Sequence, residues 1–352
     1  MSDDLLASLR RADPTLVTRH WRGLFPGLTS GGTSPLRLLN LGWLALRSCF
    51  GILFGSTNRV VIIRSTPPLL HLPVALLCRW RHLRCVFWLM DYHPVIEQRL
   101  LGQRRWLKPL LHVLDYWDRR ELRGFHLIVV LDQAMAELVR TRNRAARVVV
   151  HPTWGILLPP SSLEPSPAEI TFAYLGNFGQ GHGWSNLAVC IRETARLCPV
   201  RLLSIGVPAS AEPAFAALAK ETNAKWEKHP RKDFGRAVAF LRERGATWGC
   251  VTMKTELAGC LSPSKFSGYL AAGVPLLYAG PPKTNAWQVC AEFGGGLALE
   301  DAAGAEAIAR TAAQLASAAA QSRATAGVVR ARKYFDAFSG ETLAGCILDT
   351  KP

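Results

Sequence analysis

Short runs of β-branched and aromatic residues alternate with helix-length stretches along this chain. They do so twice, on either side of a segment rich in proline and serine. In the front block the apolar runs are RVVIIRSTPP (59–68), CVFWLMD (85–91), HLIVVL (126–131) and RVVVHP (147–152), with helical stretches at 69–81, 106–122 and 133–142 between them. In the rear block ITFAYLG (170–176), VRLLSIG (200–206), ATWGCVTM (246–253) and VPLLYAG (274–280) alternate with helical stretches at 184–197, 211–221 and the run PSKFSGYLAAG. Runs that are apolar throughout, repeated with helices between them, belong to parallel sheets covered on both faces. The expected class is therefore α/β, with two Rossmann-like, doubly wound domains and a crevice at the carboxyl ends of the strands. A length of 352 residues suits two cores of about 150 residues each. The expected boundaries are 1–155, a linker at 156–169, 170–335, and a C-terminal tail at 336–352 that crosses back to the first domain.

Composition excludes several classes. With 49% hydrophobic and 19% charged residues the chain is globular rather than disordered. Nine cysteines, with no C-x-x-C pair and mostly inside apolar runs, read as reduced core residues of a cytosolic protein. The opening MSDDLLASLRRAD is acidic where a secretory leader needs a basic start and an apolar block. The apolar stretches at 38–54 and 67–77 are interrupted by Arg47 or too short, so no membrane span is expected. The alanine-rich stretch 302–326 reads as a surface helix.

The net charge of +16 is unevenly placed: residues 1–160 hold 22 Lys and Arg against 10 Asp and Glu, the remainder 20 against 16. Arg79-Trp80-Arg81-His82-Leu83-Arg84 and Arg104-Arg105-Trp106-Leu107-Lys108 interleave cations with tryptophan and leucine. That mixture suits an anionic membrane surface. Nucleic acid and a merely arginine-rich composition are the competing readings. The membrane surface is the expected partner, and nucleic acid is not.

Three places carry candidate chemistry. The run PSKFSGYLAAGVP (263–275) joins a polar turn to a helix entered through Ser264 and Lys265, whose first amides lack intrahelical acceptors and face outwards as a phosphate seat. Ser264 is equally a plain N-cap. After the strand ITFAYLG, the glycine-rich GNFGQGHGW (176–184) lets Gly176, Asn177 and Gly179 bring backbone amides up to an anion, with His182 either a phosphate donor or a structural loop histidine. Lys254 and Lys265 close the segment between the strand ATWGCVTM and the helix and could meet that anion. In the front block Asp91 and His93 follow a buried strand, where side chains reach the ligand crevice; capping the next turn is the alternative for Asp91. No histidine spacing suggests a metal site.

Together, STPP, WLMDYHP, LDQAMAELV, HPTWG, YLGNFGQGH and the PSK run resemble the retaining GT-B glycosyltransferases, in the branch carrying a PSK motif and acting in bacterial polysaccharide and glycolipid synthesis. The resemblance covers about residues 59–296. It implies transfer of a sugar from a nucleotide-sugar to a hydroxyl acceptor, lipid-linked or polysaccharide, with retention of anomeric configuration. It implies no metal and no cofactor; the basic front half adds the expectation of a cytoplasmic location, peripheral to the inner face of the cell membrane. Asp91, His93 and Lys265 take the catalytic roles, and Gly176, Asn177, Gly179, His182, Lys254 and Ser264 the donor diphosphate. Departures from the family pattern are specific. Its two glutamates eight apart correspond to Cys260 and Gly268, its Arg and Lys after the first strand of the second domain are missing, and Lys283-Thr284-Asn285 stands where relatives often place an acid. The first domain is shortened, with either a residual strand at 15–19 followed by a Gly31-Gly32 loop or no first strand. A degenerate GT-B scaffold of a polysaccharide assembly complex is the alternative function, and a GT-B sugar-nucleotide epimerase the more distant one.

Overall fold

The computed structural model of the chain describes residues 2–13, 35–56, 60–153, 169–179, 181–300 and 303–349. The expected residual strand at 15–19, the Gly31-Gly32 loop and nearly all of the linker lie outside the described residues. Two compact units are present: residues 1–152, 259–262 and 339–352 form the first, and 153–258 with 263–338 the second.

The first unit contains α1 (Ser2–Ala12), α2 (Pro35–Phe54), β1 (Val60–Arg64), α3 (His71–Trp80), β2 (Arg84–Leu89), α4 (Val95–Leu101), α5 (Lys108–Glu121), β3 (Leu127–Val130), α6 (Gln133–Arg142) and β4 (Val148–Val150). Its four strands pair in parallel in sequence order. The central strands are apolar on both faces because helices cover both, and Phe87, Leu89, Ile128 and Val130 sit in one core with Val74, Cys78 and Met135. Asp118 is fully buried. Its carboxylate holds three elements together through His71 Nε2 at 3.0 Å, the Tyr92 hydroxyl at 3.1 Å and Arg142 Nη2 at 2.7 Å.

The second unit contains β5 (Ile170–Leu175), α7 (Ser185–Ala195), β6 (Val200–Ile205), α8 (Glu212–Thr222), β7 (Lys225–His229), α9 (Phe234–Glu243), β8 (Trp248–Thr252), α10 (Lys265–Ala272), β9 (Leu276–Ala279), α11 (Asn285–Ala291), β10 (Gly296–Leu299), α12 (Ala305–Leu315) and α13 (Ala318–Phe335). Its six parallel strands run in the order β10-β9-β8-β5-β6-β7. The chain therefore winds outwards from β5 to β7, returns to the other side of β5 and winds outwards again. The reversal falls between β5 and β8, the place where open parallel sheets of this kind bind their ligands. The last helix, α14 (Gly340–Leu348), belongs to the first unit, packs on α1, and its Thr342 hydroxyl meets His151 Nε2 at 3.0 Å.

Local details differ from the sequence reading for physical reasons. The alanine-rich stretch is not one surface helix. The described chain breaks at Ala316–Ser317, where Ser317 caps α13, and Ala320, Ala324, Val328, Ala331 and Phe335 of α13 are buried. Small side chains let this helix sit close to its neighbours. Strand β7, KWEKH, escapes a search for apolar runs because it is the sheet edge and carries lysines there, a common guard against edge pairing. The apolar stretch at 38–54 is a single helix, and no helix among the described residues is long and apolar enough to cross a membrane.

Candidate functional site

The site in the second unit grows out of the switch point. Helix α10 is anchored there by Tyr269, which lies between β5 and β8. The Tyr269 hydroxyl accepts from Leu175 N at 2.9 Å and reaches the Ala173 carbonyl at 2.8 Å. Gly249 makes this possible, because any Cβ at that position would stand 2.4 Å from the Tyr269 ring. With the helix seated, Lys265 in its first turn projects over the end of β5.

There Gly176 turns the chain at φ +70°, a conformation that costs glycine little, while its amide still completes the sheet through Ile205 O at 2.7 Å. The turn exposes the carbonyl of Asn177, and Lys265 Nζ donates to it at 2.6 Å. The same ammonium donates to the Tyr174 hydroxyl at 2.7 Å and lies 4.0 Å from the centre of that ring. His182 Nε2 is 3.5 Å away. Since His182 Nδ1 lies 2.9 Å from the Thr252 carbonyl, which only accepts, the ring proton belongs on Nδ1 and the lone pair of Nε2 faces the lysine. Aromatic rings hold the turn in shape, with Phe178 stacked on His182 at 5.6 Å and edge-on to Trp184 at 5.4 Å.

This setting changes both basic groups. Burial pushes the Lys265 ammonium down to about 7. Burial, reinforced by the lysine charge, pushes His182 down to about 4, so it is a neutral acceptor near neutrality. A half-buried amine that titrates near 7, next to backbone amides at the start of α10, answers to an approaching anion: negative charge restores the proton and gains a charge-assisted contact.

The structure thus gathers Lys265, Gly176, Asn177 and His182, but the Gly176 amide is taken by Ile205 O and so is not presented to an anion, and His182 presents a lone pair where a phosphate donor was one expectation. Gly179 belongs to the same turn and accepts from His182 N at 3.1 Å. Ser264 is exposed at the start of α10 and its side chain makes no capping bond; its carbonyl instead accepts from the Ser267 hydroxyl at 2.8 Å. Lys254 ties in through its backbone, with its amide on Gly181 O at 3.0 Å, while its ammonium faces Glu256 at 3.8 Å. Tyr174 and Thr252 are participants that the sequence reading passed over. Tyr174 sits inside an apolar strand, where nothing in the sequence separates a working phenol from a core one.

In the first unit Asp91 and His93 follow β2. Ser65 Oγ, just past β1, accepts from the amides of Met90 and Asp91 at 3.0 Å each and fixes the start of the loop. Burial raises the Asp91 carboxyl, opposed by the charges of His93 and Arg64. His93 Nδ1 is bonded to Glu97, a partner one helical turn further on that the sequence reading missed although its i,i+4 spacing is visible. Cys260 and Gly268, the positions the sequence reading set against two glutamates, are both enclosed: Cys260 is fully buried in the first unit's core, with its carbonyl accepting from Tyr92 N at 2.8 Å, and a side chain on Gly268 would meet Leu175. Among the described residues no cluster of three or more His, Cys, Asp or Glu is placed to hold a metal ion.

No protein-family model matches the sequence, and no characterised protein matches it by sequence. Solved structures do match the fold. Sucrose-phosphate synthase from Thermosynechococcus elongatus aligns with a TM-score of 0.64 at 14% identity, over 93% of this chain and 81% of that one. HepE from Anabaena, solved in complex with UDP and glucose, aligns with a TM-score of 0.58 at 12% identity, over 90% and 83%. A mutant of TarM from S. aureus, in complex with Fondaparinux, alpha-GlcNAc-glycerol and UDP, aligns at 0.60 and 10% identity over 87% of this chain and 57% of that one. The two parallel sheets with their helices are the α/β architecture of the GT-B glycosyltransferases, and this chain has that fold.

Proposed function

We propose that the protein is a glycosyltransferase that moves a sugar from a nucleotide-sugar to a hydroxyl acceptor with retention of anomeric configuration. The observation that carries this is the Lys265 ammonium, seated by α10 on the Asn177 carbonyl at the switch point of a parallel sheet. A departing diphosphate needs positive charge placed in advance, and a lysine with its neighbouring helix-start amides supplies it. Retaining transfer lets the leaving diphosphate take the acceptor proton on the same face of the sugar, so a dedicated carboxylate base is not required. In this reading Gly176, Asn177, Gly179, His182, Ser264 and Lys254 shape the diphosphate seat, and Asp91 and His93 serve the acceptor side. Charge stabilisation comes from the chain itself without a metal ion.

The acceptor in this reading is lipid-linked or a growing polysaccharide, met at the inner face of the cell membrane in bacterial polysaccharide synthesis. The basic front half of the sequence supports it. The test is thermal unfolding against a panel of nucleotide-sugars, with Lys265→Ala as control. Stabilisation by one nucleotide-sugar that is lost in the variant is expected, since a ligand bound only to the folded state raises the midpoint. Equal response of both proteins would end the proposal.

A second reading, a GT-B scaffold without turnover, has its own observation: Cys260 and Gly268, the positions the sequence reading set against two glutamates, are enclosed. Release of nucleoside diphosphate from the stabilising nucleotide-sugar separates the two, because a scaffold binds without turnover.

A further inference from the structure

Helix α2 presents an apolar face that is exposed among the described residues. Leu36, Leu39, Trp43, Leu46, Phe50 and Phe54 are all exposed, the last four between 45% and 72%. At 3.6 residues per turn these six positions fall within an arc of about 80°, along a helix about 30 Å long. Asn40 beside the stripe and Ser48 and Ile52 on the opposite side of the helix are buried, so the stripe is a defined outer face and not the frayed surface of a loose helix. α2 packs on α3 and α3 on α5, and Trp80 of α3 and Trp106 and Tyr116 at α5 are exposed by 67%, 74% and 69%.

Charge indicates what covers this surface. Residues 35–54 contain arginines and no acid, and Arg47 is exposed. Exposed Arg104, Arg105 and Lys108 flank Trp106. The acids of α5 are occupied within the unit, Asp115 by Arg119 and Arg142, Asp118 by Arg142 and His71, and Glu121 by Arg79. A second copy of the chain would set this cationic rim against itself. A nucleic-acid backbone would leave the leucine and phenylalanine stripe without a partner, since that stripe carries no interleaved cations. Apolar residues on one face, tryptophans at its border and arginines around it match the boundary between anionic headgroups and acyl chains.

We propose that the α2–α3–α5 side of the first unit lies on an anionic phospholipid surface, with the α2 stripe in the acyl boundary and Arg104, Arg105 and Lys108 among the headgroups. This deepens the proposed membrane-side function, yet it stands on the exposure pattern and would hold for a scaffold too.

The experiment is co-sedimentation of the full chain with phosphatidylcholine vesicles, with and without phosphatidylglycerol. Wild type is expected to bind the mixed vesicles and to lose binding with added salt. Leu46→Gln with Phe50→Gln should lower the partition coefficient at least tenfold at unchanged melting temperature. Arg104→Glu with Arg105→Glu, outside α2, should abolish the preference for phosphatidylglycerol, and it keeps the test valid should the α2 variant fail to fold. No binding by wild type, or wild-type binding by both variants, overturns the proposal. So does light scattering that finds a dimer which the α2 variant turns into a monomer. Nucleotide-sugar binding is measured on the same samples: its loss with lipid binding intact refutes the transferase reading alone, and the converse refutes this face alone.

Discussion

If Lys265 receives the donor diphosphate, binding must carry a proton with it, and the size of that linkage follows from the structure. The free amine titrates at about 7 because it is buried beside Tyr174 and His182. Against a diphosphate it returns towards the ordinary lysine value. Between those two values each bound ligand takes up one proton, so affinity falls as pH rises. At pH 6 about nine-tenths of the free amine is charged and at pH 8.5 about 3%, a ratio of about 30-fold or about 2 kcal/mol at 1.36 kcal/mol per unit. A nucleotide-sugar is the proper ligand, since its diphosphate keeps both charges across this range whereas a free nucleoside diphosphate takes up a further proton near neutrality. In the free protein His182, held at about 4, is neutral across this range.

Titration calorimetry at pH 6, 7, 7.8 and 8.5, in buffers of different ionisation enthalpy, reads both affinity and proton uptake. Lys265→Arg should bind with a flat pH profile, because a guanidinium stays charged. The free protein supplies an opposite signature. From about 7 up to the ordinary lysine value the unfolded chain holds more protons than the folded one, so this group makes the fold more stable as pH rises. Affinity and stability therefore move in opposite directions with pH. A wild-type affinity that is flat from pH 6 to 8.5, with Lys265→Ala binding equally well, would refute the reasoning.

Four further outcomes are expected. Tyr174→Phe removes an oxygen that accepts from the ammonium at 2.7 Å and should move the midpoint of the pH profile below that of wild type. Gly249→Ala sets a methyl against the Tyr269 ring, and overpacking of this kind costs about 1–3 kcal/mol, read by urea unfolding. Asp118→Ala leaves His71 and part of Arg142 without their carboxylate in a buried network; a loss of about 3–5 kcal/mol is expected, again by urea unfolding. Transfer activity should survive an excess of EDTA, and its abolition with rescue by a divalent cation would show that Lys265 and the amides are not sufficient.

What the sequence determines by itself is the alternation, and alternation is a local property. Apolar β-branched runs such as 126–131 and 170–176 are typical of a parallel sheet covered on both faces, so the class and the order of the apolar strands were legible, whereas β7 and β10 were not. Departures came where context outranks composition. The edge strand β7 is too charged to look like a strand, and α13 uses alanines for close packing where the sequence suggested a surface helix. The positions of Lys265 and of the glycine turn were legible as motifs, as was a basic front half. Only the tertiary structure decides that Lys265 meets the Asn177 carbonyl and Tyr174, residues 88 and 91 positions away, because the order β10-β9-β8-β5-β6-β7 brings the ends of β5 and β8 together. Only the structure, too, distinguishes the outer face of α2 from an apolar core helix. Both have the same hydrophobic sequence, and solvent exposure depends on what the rest of the chain packs against.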